Sequence, residues 1–293
     1  MKYALFPGCT VLGRSRNYEM ATRAVAKCLN IDLIDDDEFE CCGFPVKSIS
    51  YDTYHDLAAR NIFVAESKGF DICTLCSACT GTLTEINTHL NDNFEEKART
   101  LARLKKAGME YRIGNNIKVK HFVRILYEDI GVEKIKKLVK KPMDKFVFAA
   151  HYGCHYFKPS EIYDHFEDPE NPRTLDELIL ATGAHIVNYT EKLKCCGAGV
   201  MAMNEEVAHI LTHAKLDDLS KYQIDSMVLM CPFCSVMYDD NQRKIEQKFQ
   251  KKYNLPVLYY PQLLGLALGL EPKVLGLQMN RVSTKVLLEK VNK

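Results

Sequence analysis

Ten of the chain's twelve cysteines fall into two matching sets. The first is Cys9, the adjacent pair Cys41-Cys42, and Cys76-x-x-Cys79. The second is Cys154, Cys195-Cys196, and Cys231-x-x-Cys234. Thiolates are soft donors, suited to zinc or to iron–sulfur clusters. A structural zinc takes four ligands in a tetrahedron, whereas each set offers five sulfurs. Adjacent cysteines rarely reach one metal together without strain, but they suit neighbouring irons. A bare dithiol of thioredoxin type accounts for each CxxC and leaves three cysteines of each set without a role. The iron–sulfur reading therefore leads, and zinc at both sites is the alternative.

The spacing shows a duplication. Between the cysteine pair and the CxxC lie 33 residues (43–75) in the first half and 34 (197–230) in the second. Between the first cysteine and the pair lie 31 (10–40) and 40 (155–194), and the excess fits a loop insertion around 167–172. Residues 3–6 resemble 147–150, and 119–126 resemble 257–264, so the repeat spans nearly the whole chain. The seam is the basic stretch 134–142, read as a helix end followed by a linker. That gives two repeats, 1–142 and 143–293. The repeat also aligns 72–76 with 227–231, which selects Cys76 and Cys79 over the competing pair Cys73 and Cys76. Cys28 has no counterpart and is expected in the core. Gly43 and Gly197 follow the pairs, as turn glycines or where backbone approaches a bulky group.

The elements around these motifs alternate. Residues 3–6, 31–34, 71–75, 145–150, 185–187 and 227–230 read as strands, and 19–29, 56–68, 174–181 and 205–219 as helices. This order predicts an α/β fold of two pseudo-symmetric repeats. Each would be a mostly parallel sheet with helices, with its cysteine motifs at strand ends. Ligands bind at the carboxyl ends of strands in such sheets, so three distant motifs can converge there. Helix N-termini at that edge would stabilise an anionic cluster. The 47% apolar fraction supports a sizeable core, and 39 basic against 38 acidic residues give no general attraction to nucleic acid. No apolar run is long enough to span a membrane. No leader pattern precedes Cys9, so the expectation is a cytoplasmic protein whose clustered cysteines are ligands before disulfides.

Gly-Cys, Cys-Cys-Gly and Cys-x-x-Cys, twice in one chain, resemble the duplicated cysteine-rich CCG-domain family. Over its full length the chain resembles the heterodisulfide reductase B subunits of that family. The resemblance implies that Cys9, Cys41, Cys42, Cys76 and Cys79 hold one noncubane [4Fe-4S] cluster. Cys154, Cys195, Cys196, Cys231 and Cys234 would hold a second. The implied reaction is two-electron reduction of the coenzyme M–coenzyme B heterodisulfide to two thiols. The product thiolates need protons. His55 and His209 each lie thirteen residues beyond a cysteine pair, and His155 follows Cys154, so these three are candidate donors beside the reading of packed or solvated histidines. The substrate's anionic groups would need cations, for which Lys47, Arg60 and Lys215 are candidates beside the reading of surface charges. After Cys79 come Thr80-Gly81-Thr82 and no further ligand of a ferredoxin run. The implied partners are therefore a separate ferredoxin-like subunit and, through it, a flavin-containing electron-bifurcating subunit. The seam or residues 278–293 could dock one. The other reading is an electron-transfer subunit of a glycolate- or lactate-oxidase-like or fumarate/succinate complex.

Overall fold

The structure, a computed structural model, describes residues 1–111 and 116–291. The first half runs β1 (Lys2–Phe6), α1 (Cys9–Arg14), α2 (Arg16–Cys28), β2 (Asp32–Ile34), α3 (Tyr51–Lys68), β3 (Ile72–Thr74), α4 (Ser77–Asp92), α5 (Phe94–Lys106), β4 (Val119–His121), α6 (Phe122–Ile125) and α7 (Val132–Leu138). The second runs β5 (Val147–His151), α8 (Thr174–Ala181), β6 (His185–Ile186), α9 (Glu205–Leu219), β7 (Ser226–Leu229), α10 (Pro232–Ser235), α11 (Gln242–Phe249), β8 (Val257–Tyr259), α12 (Tyr260–Ala267) and α13 (Lys285–Val291). Each half builds one four-stranded sheet, ordered β2-β1-β3-β4 and β6-β5-β7-β8. All six strand pairings among the described residues are parallel. The predicted α/β fold of two repeats is therefore present.

The central strands are apolar because helices cover both faces of a parallel sheet. Residues 3–6 and 72–74 are buried, as are 148–151 and 226–229. The helices after each cysteine pair start alike. The Ser50 side chain accepts the Thr53 N–H to cap α3, and the Asn204 side chain accepts the Val207 N–H to cap α9. Strands β4 and β8, three residues each, are too short for a periodic signal and come to light only in the structure.

Three expectations shift. The pairing sets Leu5 opposite Cys73 and Ala150 opposite Val228, so 3–6 correspond to 148–151, one residue on from the predicted match. Phe6 and His151 are thus counterparts. Cys28 is exposed, not core, because the buried stripe of α2 runs through Tyr18, Ala21 and Val25 to Leu29 and leaves position 28 on its flank. The seam is α7 followed by a linker, but the linker is held: the N–H groups of Lys140 and Lys141 both donate to the Ala267 carbonyl, at 2.8 and 2.9 Å.

The halves interlock crosswise. Helix α4, after the first CxxC, packs on the turn Cys154–Tyr156, while α10, after the second CxxC, packs on α1. Helix α12 packs on α2. Two first-half side chains grip the residue before Cys231: the Tyr18 hydroxyl and His121 Nε2 reach the Met230 carbonyl at 2.9 and 3.1 Å. Among the described residues, no helix is long and apolar enough to cross a membrane.

Candidate metal centre

In each sheet the strand order reverses between the first and third strands of the half. Beyond their carboxyl ends lies the crevice where ligands bind in open α/β sheets. Cys9 follows β1 and opens α1. Cys76 follows β3 and caps the N-terminus of α4, and Cys231 follows β7 and caps α10. The positive end of a helix favours thiolate there. The pairs enter by tight turns. Gly43 and Gly197 have φ of +90° and +92°. A side chain on either would press on helix backbone, with its Cβ 2.8 Å from the Tyr54 carbonyl oxygen or 2.6 Å from that of Ala208. The glycines thus seat the cysteine turn on α3 and α9.

The thiols of each half converge in the same pattern. Cys42 lies in hydrogen-bonding reach of Cys41 and Cys79, and Cys196 of Cys195 and Cys234. These contacts hold both central thiols well below the usual range. In each half the first cysteine and the leading member of the pair are exposed, and the other three are buried. The two sets also meet: Cys76 and Cys231 are within hydrogen-bonding reach of each other across the halves. Phe44, next to the first pair, packs edge-on against His155 at 4.9 Å and faces Phe233 of the second CxxC at 6.2 Å. A small cavity at the second set is lined by His151, Cys154, Cys195, Cys196 and Cys234, with Lys158 and Lys194 also contributing. Five converging soft donors, both buried and surface, fit an iron–sulfur cluster. Cys73 lies inside β3, and burial alone pushes its thiol up.

The other candidates separate. His155 reaches the cysteines, with Nδ1 3.2 Å from Cys154 Sγ, and burial pulls its basicity down. Burial raises the Cys154 thiol to about 11. Lys47 is exposed beside this junction and paired with Glu85 at 2.6 Å. His55 packs toward His89 and Asp56, and His209 toward Glu205. Neither ring has a cysteine partner among the described residues. Arg60 braces the loop before Cys41 through the Glu38 carbonyl (2.6 Å) and Glu40 (3.4 Å). Lys215 is 0% exposed and so presents no charge to an open cleft. Its ammonium donates to the carbonyls of Lys192 (3.0 Å) and Lys194 (2.8 Å) and to His151 Nδ1 (3.1 Å). Burial pulls Lys215 down to about 8, and burial with the adjacent Lys215 pulls His151 down to about 4.

His151 was not among the sequence candidates, yet one of its ring nitrogens, Cys196 Sγ and Cys234 Sγ all lie within 4.8 Å of one another. Tyr238 stands edge-on to His151 at 4.9 Å. Its buried hydroxyl has no hydrogen-bond partner among the described residues, and burial followed by the nearby Cys196 and Cys234 pushes it upward.

The cysteine-rich CCG domain matches residues 3–84 and again 148–239. The chain belongs to the cysteine-rich CCG-domain family. The B subunit of the ferredoxin:CoB-CoM heterodisulfide reductase from Methanosarcina mazei is 40% identical over 99% of this chain and 97% of its own length. The membrane anchor subunit of the 8-methylmenaquinol:fumarate reductase from Wolinella succinogenes is 30% identical over 98% of this chain and 99% of its own. A solved structure of a hypothetical protein from Helicobacter pylori has a TM-score of 0.77 at 17% identity over 96% of this chain, which spans 52% of that one. That likeness concerns the fold alone. Within the CCG family the chain groups with the heterodisulfide reductase B subunits, which makes it an oxidoreductase subunit. The domain and these relatives imply an iron–sulfur cofactor.

Proposed function

We propose that repeats 1–142 and 143–293 each hold one noncubane [4Fe-4S] cluster through their five cysteines, and that the pair reduces the coenzyme M–coenzyme B heterodisulfide. The observation that carries this reading is the meeting of the two thiol sets at Cys76 and Cys231. It would bring two redox centres side by side, as a two-electron cleavage needs. When bound, the clusters would supply the electrons, one at a time. Disulfide, two electrons and two protons give two thiols. His155 would hold a proton at Nδ1 beside Cys154 Sγ. Lys47, Lys158 and Lys194 would attract the substrate's anionic groups. Phe44 and Phe233 would shield the junction from water. His55, His209, Arg60 and Lys215 would support the fold and the cysteine loops.

A ferredoxin-like subunit, fed by a flavin-containing bifurcating subunit, would deliver electrons. A cavity of about 740 Å³ lined by Lys273, Gln278, Arg281, Lys285 and their neighbours supports docking at 278–293, whose last two positions lie outside the described residues. A chain whose clustered cysteines serve as cluster ligands would suit a reducing cytoplasm. The test is thiol release from the heterodisulfide with reduced viologen as electron donor: two thiols per disulfide are expected. The Wolinella relative favours a second reading, an electron-transfer subunit of a fumarate-linked complex. That reading predicts reducible clusters and no thiol release.

A further inference from the structure

The two thiol sets share one sulfur pattern, but different groups stand behind them. The first half has Phe6, packed on Phe39 at 5.3 Å, at the end of β1, and Asn61 at the cysteine turn. Asn61 secures the cysteine turn with neutral bonds: its amide donates to the Cys41 carbonyl at 3.2 Å and its carbonyl accepts the Glu40 N–H at 2.9 Å. The counterparts of Phe6 and Asn61 are His151 and Lys215. The strand pairing fixes the first. For the second, Asn61 and Lys215 each stand nineteen residues beyond a cysteine pair, on α3 and α9, and each binds the backbone just before that pair.

The proton positions follow from the partners. The Lys215 ammonium has three N–H donors, and its three acceptors are the Lys192 carbonyl, the Lys194 carbonyl and His151 Nδ1. A neutral imidazole that accepts at Nδ1 carries its proton on Nε2. His151 Nε2 is buried and has no hydrogen-bond partner among the described residues. One ring nitrogen of His151 lies within 4.8 Å of both the Cys196 and Cys234 sulfurs, and with Nδ1 engaged by Lys215 it is Nε2 that is free to donate. The hydroxyl of Tyr238 is a second buried donor at this site. Four residues beyond the first CxxC the chain has Leu83 in place of Tyr238.

We propose that Lys215 holds His151 with its Nε2 proton available to the Cys196 sulfur of a bound cluster, and that this sets the reduction potential of the second cluster above that of the first. The proposal rests on the reading that each half holds a cluster. Hydrogen bonds to cluster sulfurs and nearby positive charge favour the reduced, more negative state. The first set has a phenyl ring and a neutral amide in those places. One electron from a chemical reductant, with no bond made or broken, would therefore settle on the second half first. Lys215 and His151 act through Cys196 and are positioning residues.

The test is an EPR-monitored redox titration of the intact chain with dithionite, with iron and sulfide measured on the same samples. Wild type should give two separate waves. In H151F, which leaves Lys215 and its two carbonyl bonds in place, only the upper wave should fall. In H151F/K215N, which copies the Phe6/Asn61 pair, the upper wave should drop at least tenfold in its one-electron equilibrium, ~59 mV, toward the lower one. A single wave in wild type with full iron overturns the proposal and leaves the two-cluster reading intact. So does an H151F protein with full iron in which neither wave moves, or both move equally. Loss of iron in H151F/K215N alone would assign Lys215 to holding the loop, and H151F then decides. Wild type lacking a cluster in one half would sink both readings together.

Discussion

The two halves carry the same five-thiol pattern on the same strand ends, and they differ in what stands behind it. At matching positions the first half has Phe6, Asn61 and Leu83, and the second His151, Lys215 and Tyr238, all buried. Sulfur positions tolerate little change because they must meet a metal group in three dimensions. The residues one layer back need only fill space and hold the cysteine turn, which an amide or an ammonium can do equally well. Duplication can therefore keep the ligand pattern while the electrostatics of the two sites diverge.

The largest test of that equivalence removes the central thiol of either set. C42S and C196S should each lose about half of the bound iron, one cluster of two, and turnover should fall below detection in both. Iron analysis of anaerobic protein reads this directly. Unequal iron losses would break the pairing of the sites.

The turn glycines should also behave as a pair. G43A and G197A each force a left-handed residue against helix backbone, and each should cost roughly 1–3 kcal/mol. Urea unfolding under argon would measure the cost. An effect in one half alone would mean that only one cysteine turn is seated as described.

Another comparison sets His121 against Tyr259, which end the fourth strands of the two sheets. Burial holds His121 down to about 4, and its Nδ1 accepts the Val123 N–H, so it is neutral in the fold. Unfolded, it takes up a proton below about 6.5. Its folded pKa lies below the unfolded value, so between the two the unfolded chain binds more protons. Its contribution is full above that unfolded value and falls as pH drops toward 4. The loss should reach about 2 kcal/mol at pH 5. H121Y, which copies Tyr259, should flatten the pH 7 to 5 dependence of unfolding. An unchanged slope would place the titration elsewhere.

The smallest effect belongs to Cys73. Its counterpart in the strand pairing is Val228, and both are buried. C73V should retain all iron and change stability by less than about 1.5 kcal/mol. Loss of iron would move the ligand register by one turn of the motif.

Much of this was legible in the sequence. Doubled motifs marked the repeat, and their places after apolar runs indicated a parallel sheet with thiols at one edge. His151 was hidden by a slip of one residue: matching 3–6 to 147–150 stops just short of the Phe6–His151 correspondence. Counting back three residues from Cys9 and Cys154 finds it. The burial of Lys215 was not legible, because a lysine on an amphipathic helix looks the same whether it meets water or two backbone carbonyls. The approach of Cys76 to Cys231 was equally out of reach, since it arises from packing between halves. His55 and His209 show the converse. Equal spacing made them equivalent, and in the structure each pairs with an acidic neighbour, Asp56 or Glu205.

The central claim is that each half holds its own iron–sulfur cluster. It is tested most directly by iron, acid-labile sulfide and zinc per chain in protein never exposed to air. Two four-iron clusters predict about eight irons, about eight sulfides and no zinc. Zinc in either half, or iron for only one cluster, would contradict it.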